Sequence, residues 1–221
     1  MIKDLFRYCA DIGMFASDRP INDVGSVKGS CDHRTSFCDE DCYNVKLYRM
    51  YPNMGKRDER CEHEWQQISG DAVRLYLSRK RKQTERARHM TRGEAIKDLP
   101  DVYRVKDIAL STPDTIWWIP TRAWRNTLLR ELIQIELFPI PNIALNASLD
   151  PSNTQEEEDS LIDDGWNIMY FGDDTKYAGK GEAFKCPKTW KKMSGHCAVC
   201  KAGCFSQTTI GKRVTVHLSA H

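Results

Sequence analysis

The chain has 221 residues, with 33 Lys and Arg against 31 Asp and Glu, for a formal charge of +2. That length suits one large domain or two small ones, and the near-neutral balance excludes a polycation built wholly around nucleic acid. Hydrophobic residues make up 40% of the chain. No run approaches a membrane span, and Asp4 interrupts the N-terminal apolar stretch, so neither a spanning helix nor a secretory signal is expected.

In chain order, GSVKG at 25–29 reads as a small strand or turn leading into a cysteine loop. Residues 41–68 are mixed and mostly helical, with Tyr43, Leu47, Met50 and Tyr51 at helical spacing. A second helix is expected over 71–82, a short strand over 86–90, and a helix over 95–111 with Pro100 near its start. TIWWI at 115–119 is aromatic and β-branched and reads as a strand. The stretch 121–137 reads as an amphipathic helix with Trp124, Leu128, Leu132 and Ile135 on one side.

NIALNASL at 142–149 is the next strand, and Thr154 then caps a helix whose acidic run, Glu156 to Asp159, suits a helix N-terminus. WNIMYF at 166–171 is another strand, 172–181 a polar connector, and RVTVHL at 213–218 a last strand. Strands alternating with helices predict a parallel sheet with helical crossovers. Six strands, counting GSVKG, are too few for an eight-stranded barrel. The expected fold class is therefore α/β, a partial (open) βα barrel of about six mostly parallel strands with a cysteine-rich C-terminal loop. The expected division is 1–172 for the partial barrel and 173–221 for a cysteine-rich, metal-binding segment plus the last strand.

Nine cysteines without an export signal point to a reducing compartment, where clustered thiols read as metal ligands or catalytic groups. Cys9 stands alone in an apolar stretch and reads as a small buried hydrophobe. Cys31, Cys38 and Cys42 are spaced C-x6-C-x3-C, and Cys186, Cys197, Cys200 and Cys204 are spaced C-x10-C-x2-C-x3-C. Sulfur ligands select zinc or iron–sulfur clusters over hard cations. Three thiolates on a four-iron (4Fe-4S) cluster leave one iron open to a ligand; His33 or Cys61 as a fourth donor would close the site instead, as zinc prefers. The second group can close a site by itself, as a second cluster or a zinc ion. Lys191, Lys192 and Lys201 offset its charge. The two loops can also meet at one shared centre.

Further candidates sit at the predicted strand ends. Glu94, after Gly93, reads as a cofactor-binding carboxylate or a helix-start residue, and His89 as a ligand, a proton donor or a half-buried histidine. Thr121 and Arg122 suit a carboxylate or phosphate, or are an ordinary helix-start pair. Asn146, Ser148 and Asp150 alternate along one strand face and suit hydrogen bonds to a ribose or an amino acid moiety, or Asp150-Pro151 is a plain turn. Arg79, Lys80, Arg81 and Lys82, with Arg86 and Arg88, form one basic run that reads as a nucleic-acid contact or a solvated helix end. No phosphate-binding glycine loop, HExxH motif or serine elbow is present.

The three-cysteine loop followed by a strand ending in Gly93-Glu94 resembles the radical S-adenosylmethionine superfamily. That resemblance implies a 4Fe-4S cluster on Cys31, Cys38 and Cys42, S-adenosylmethionine on its open iron, and Glu94 on the methionine amine. The loop spacing departs from C-x3-C-x2-C, and only one glycine precedes Glu94. A fuller resemblance is to the phage gene-product-eighty-eight-like family. It rests on the loop Cys31 to Tyr43, the segment His89 to Glu94, and the run Trp118 to Arg122. It continues through Asn146, Ser148 and Asp150 to the tail Cys186-Pro187 to Cys204. It implies a phage origin, the cytoplasm of an infected bacterial host and a cysteine-bound centre. The alternative is a non-catalytic, zinc-stapled phage protein that binds a host protein or nucleic acid.

Overall fold

In a computed structural model, the described residues are 2, 4–51, 53–82, 84–172, 176–177, 183–190, 197–206 and 214–219. They form an eight-stranded sheet in the order β1-β2-β3-β4-β5-β6-β8-β7. The strands are β1 (Phe6–Cys9), β2 (Met14–Ser17), β3 (Arg86–Arg88), β4 (Ile116–Thr121), β5 (Ile143–Leu149), β6 (Asn167–Phe171), β7 (Phe184–Lys185) and β8 (Thr215–Leu218). Only β1 and β2 pair antiparallel; every other neighbouring pair is parallel. The sheet is open, with β1 and β7 at its edges.

From β2 to β6 the spatial order follows the chain order. Right-handed crossovers then place every connecting helix on the same side. Four helices join β2 to β3: α1 (Ser36–Asp41), α2 (Tyr43–Met50), α3 (Asn53–Gln66) and α4 (Gly70–Ser78). Then α5 (Leu99–Ser111) joins β3 to β4, α6 (Thr127–Glu136) joins β4 to β5, and α7 (Gln155–Asp163) joins β5 to β6. One core cluster joins Val105 and Ile108 of α5, Leu129 and Ile133 of α6, and Leu161 of α7 to Trp117, Ile119, Leu145, Leu149 and Tyr170 of the strands. Alternate residues of those strands therefore face the helices, and the residues between them face the other way. Every residue of β5 is buried, as expected for a parallel strand covered on both faces.

The sheet has eight strands where about six were expected. The hairpin of β1 and β2, turned by Gly13 at φ 71°, and the short edge strand β7 are additions to the expected set. Of its two readings, strand or turn, GSVKG takes the turn, closed by a Val24–Val27 bridge. On α6 the buried residues are Leu129 and Ile133, whereas Leu128 and Ile135 are exposed. The expected helix cap at Thr154 is present as a reciprocal capping box with Glu157. Most of the polar connector 172–181 lies outside the described residues.

Candidate metal centre

A cavity of about 720 Å³ opens on the face of the sheet away from the helices, at the C-terminal strand ends. In parallel α/β sheets this is where ligands bind. Cys31, Cys38 and Cys42 line it from one side, and Cys186 and Cys197 from the other. Gly93, Glu94, Arg122 and Ser148, from the ends of β3, β4 and β5, complete the wall. Cysteine groups more than 140 residues apart in the chain thus share one space.

The first loop is held by side-chain bonds. The Thr35 hydroxyl caps α1 by accepting from the Cys38 amide at 3.2 Å, and donates to Asp150 at 2.6 Å. Asp150 also accepts from Arg122 at 2.8 Å. This chain of contacts ties Cys38 to the ends of β4 and β5. Ser30, just before Cys31, accepts from the Glu94 amide at 2.9 Å and donates to the Pro20 carbonyl at 2.8 Å. Gly93 sits between these contacts at φ 75°, and a Cβ there would lie 2.5 Å from Ser30 Oγ and 2.7 Å from the Arg19 carbonyl. Only glycine fits that turn.

Burial first, then the nearby Glu94 carboxylate and the charges of Cys42 and Cys38, together push the Cys31 thiol up to about 12. Arg122 opposes them. Burial lowers the Arg122 pKa, but Cys38, Asp150 and Glu94 outweigh it, so the guanidinium stays charged. The loop therefore concentrates three thiols beside one fixed cation.

The Glu94 carboxylate is raised by burial despite its hydrogen bonds. Oε1 accepts from the amides of Ala95 at 2.8 Å and Ile96 at 3.3 Å; Oε2 accepts from the Arg122 amide at 2.8 Å. These three backbone amides brace the β3 and β4 ends against each other through Glu94.

The second loop lies across the sheet. The Cys186 amide donates to the His217 carbonyl at 2.8 Å, ahead of the short helix α8 (Pro187–Trp190). Arg86 donates to the Cys200 carbonyl at 3.0 Å, Asn146 to the Cys204 carbonyl at 3.1 Å, and the Ala198 amide to the Ile12 carbonyl at 3.1 Å. Lys188 reaches Asp11 in the β1–β2 turn. Burial pushes the Cys204 thiol up to about 12, with Cys186, Cys197 and Cys200 adding to it and Arg88 opposing. Cys9 packs beside Cys197 in a small apolar cluster with Ile12, Met14 and Ala16. Lys191 and Lys192 lie outside the described residues, and Lys201 is exposed.

These contacts sort the remaining candidates. Cys61 is not at the cavity: it is wholly buried in the helical core and donates to the Asp4 carbonyl at 3.2 Å. His33 does line the cavity, with Nε2 at 3.0 Å from the Lys97 carbonyl, so Nε2 carries the proton there. His89 faces the opposite way, stacked 4.3 Å from Trp117, and burial lowers its pKa to about 3. It is fully buried and neutral, a correction to the half-buried expectation. Asn146 lies on the cavity side of β5, under the C-terminal segment. The basic run divides: Arg79, Lys80, Arg81 and Lys82 are exposed past the end of α4, while Arg86 and Arg88 turn toward the second loop.

Arg88, read from the sequence as part of the basic run, lies 4.4 Å over the Trp118 ring. One wall feature was not singled out in the sequence: Met90, at φ 58°, turns the chain out of β3 into the cavity wall, and no sequence pattern marks it.

The sequence matches gene product 88 over residues 19–202, which includes the whole first loop and Cys186, Cys197 and Cys200 of the second. The chain belongs to that phage gene-product family. No curated protein and no solved structure matches it. Among the described residues of this gene product 88 protein, no helix is long and apolar enough to cross a membrane. No three His, Cys, Asp or Glu among them form a ready cage for a metal ion. The donor chemistry still suits a soft metal: all-sulfur sets, each gathered within mutual electrostatic range and each beside an arginine.

Proposed function

We propose that this phage protein binds iron–sulfur clusters on its two cysteine groups, in the host cytoplasm, and that its open sheet curls as a partial barrel around them. The observation that carries this reading is the shared cavity, lined by Cys31, Cys38 and Cys42 on one side and Cys186 and Cys197 on the other. Two sets of thiols, each within mutual electrostatic range, suit a soft sulfur-ligated core. Cys31, Cys38 and Cys42 would hold a 4Fe-4S cluster with one iron facing the cavity, and Cys186, Cys197, Cys200 and Cys204 a second cluster.

An open iron supplies a coordination position for a ligand or substrate. The chain's own contribution is a fixed positive charge at Arg122 and a rigid rim braced by Glu94. S-adenosylmethionine is the cofactor that the superfamily resemblance implies, and the commitment of Glu94 to three backbone amides speaks against the amine contact that resemblance assigns to it. A radical enzyme is accordingly the less supported form of the proposal. The second reading, a zinc-stapled protein that binds nucleic acid, draws on the exposed run Arg79 to Lys82. Exposed lysines beside an edge strand such as β1 also serve to block strand pairing, which weakens that reading.

Anaerobic purification with a visible spectrum and iron, sulfide and zinc analysis tests the proposal. Iron and sulfide with a broad visible absorbance are expected. A colourless protein with stoichiometric zinc would sink the cluster reading and favour the zinc one. The Cys38→Ala variant should lose the first centre's iron while keeping the second's. Titration of the reduced protein with S-adenosylmethionine should leave its paramagnetic spectrum unchanged; a shifted spectrum would restore the radical enzyme.

A further inference from the structure

His33 stands two residues after Cys31, and both line the cavity together with Cys38 and Cys42. The imidazole is held by Nε2, which donates to the Lys97 carbonyl at 3.0 Å. A carbonyl only accepts, so the proton sits on Nε2 and Nδ1 keeps its lone pair. That carbonyl belongs to a fixed residue. The Lys97 amide donates to Asp101 at 2.9 Å and its ammonium to the Gly29 carbonyl at 2.9 Å. The next residue, Asp98, caps α5. The ring is therefore anchored to the start of α5. Nδ1 has no hydrogen bond among the described residues and is not buried out of reach. His33 also lies within electrostatic range of Glu94, as Cys31 does.

Metal-bound histidines share this arrangement. One ring nitrogen takes the metal, and the other donates to a carbonyl or carboxylate that fixes the tautomer and the ring orientation. Imidazole suits iron and zinc alike. The other donors near the first loop are committed elsewhere. Cys61 is buried away from the cavity, Asp39 pairs with Arg34 at 2.9 Å, and Glu94 accepts from three backbone amides. We infer that His33 Nδ1 is the fourth ligand of the first centre, in the position that Cys31, Cys38 and Cys42 leave open. The inference rests on those three thiols holding a metal centre, and it makes that centre closed at rest. A neutral imidazole in place of a fourth thiolate removes one negative charge. The first centre should then accept an electron more readily than a second centre held by four thiolates.

Metal analysis and pulsed electron paramagnetic resonance of the reduced, anaerobically purified full chain test it. With iron and sulfide present, the spectrum should show a nitrogen bonded to iron, and isotopically labelled histidine should shift that coupling. His33→Ala should keep the iron, because three thiolates remain, and lose the coupling with an unchanged circular dichroism spectrum. Added imidazole should restore it. His33→Cys, which keeps a donor, should hold the iron, lose the coupling and lower the reduction potential of the first centre. Iron without a bonded nitrogen, or a coupling that survives His33→Ala, would overturn the inference and leave the cluster reading standing. If zinc is found in place of iron, the cluster reading falls, and X-ray absorption at the zinc edge decides. An imidazole shell that disappears in His33→Ala is then expected, and zinc bound by sulfur alone would overturn the inference. A protein with neither metal removes both.

Discussion

The two sides of the sheet treat charge in opposite ways. On the helical side, charges close on each other. Arg19, 2% exposed, bonds Glu62 of α3 at 2.6 and 2.8 Å and Asp101 of α5 at 2.7 Å. The histidine on that side, His89, is kept neutral. On the cavity side, Arg122 and Arg88 stand beside thiols that burial and mutual repulsion hold protonated, and Trp118 and Asn146 keep unpaired atoms. The closed sets fix the fold. On the cavity side the pairing is less complete: Arg122 gives one bond to Asp150 and leaves its Nε without a partner among the described residues.

This contrast predicts where stability lies. The largest loss is expected from Arg19→Met, which strands two buried carboxylates and should cost about 3–5 kcal/mol by denaturant unfolding. A loss below about 1 kcal/mol would mean that the set is not closed. Gly93→Ala comes next, at about 2–3 kcal/mol, because it forces a positive φ on a side chain and meets the backbone of Arg19. It should also lower the iron content, since Ser30 and Cys31 must shift.

The neutral histidine gives a pH effect of similar size. A group whose folded pKa is depressed, here from 6.5 to about 3, stabilises the fold above the unfolded value and loses that contribution as pH falls. Between pH 8 and pH 5 the protein should lose about 2 kcal/mol. Asp18, Asp101 and Asp150, which Arg partners and hydrogen bonds hold below the usual carboxylate range against the effect of burial, begin to act only under pH 4. A His89→Phe variant should flatten the curve between pH 8 and pH 5; an unchanged slope would place the titration elsewhere. The smallest effect belongs to Leu128→Lys, within about 0.5 kcal/mol, because Leu128 is 70% exposed.

Sequence reasoning reached most of the parallel sheet because those strands are long or strongly β-forming: TIWWI, NIALNASL and WNIMYF each announce a buried strand. It missed the β1–β2 hairpin because MFAS is buried on both faces over only four residues, which leaves no alternation to detect. On α6 the stretch TLLRELIQIE is apolar at 128, 129, 132, 133 and 135, so more than one helical stripe fits, and only packing against the sheet and α5 chooses Leu129 and Ile133. Both cysteine groups were legible from spacing. Their meeting in one cavity was not, because it depends on the C-terminal segment crossing the sheet to Arg86, Asn146 and Ile12, a contact that no local pattern encodes.

The tie between Lys188 and the Asp11 carbonyl spans 177 residues. Such distant contacts are the slowest to form in a folding chain, because the largest loop must close before they contribute. The first cysteine loop leans on β3, β4 and β5, which are synthesised before the C-terminal segment exists. The second cysteine group, with its part of the cavity wall, arrives last, when that segment docks on the N-terminal hairpin. Assembly is thereby ordered in time. The second group's thiols are brought together only as the sheet is completed, and a chain stalled or cut before residue 186 would present the first three thiols without Cys186 and Cys197 in the cavity wall.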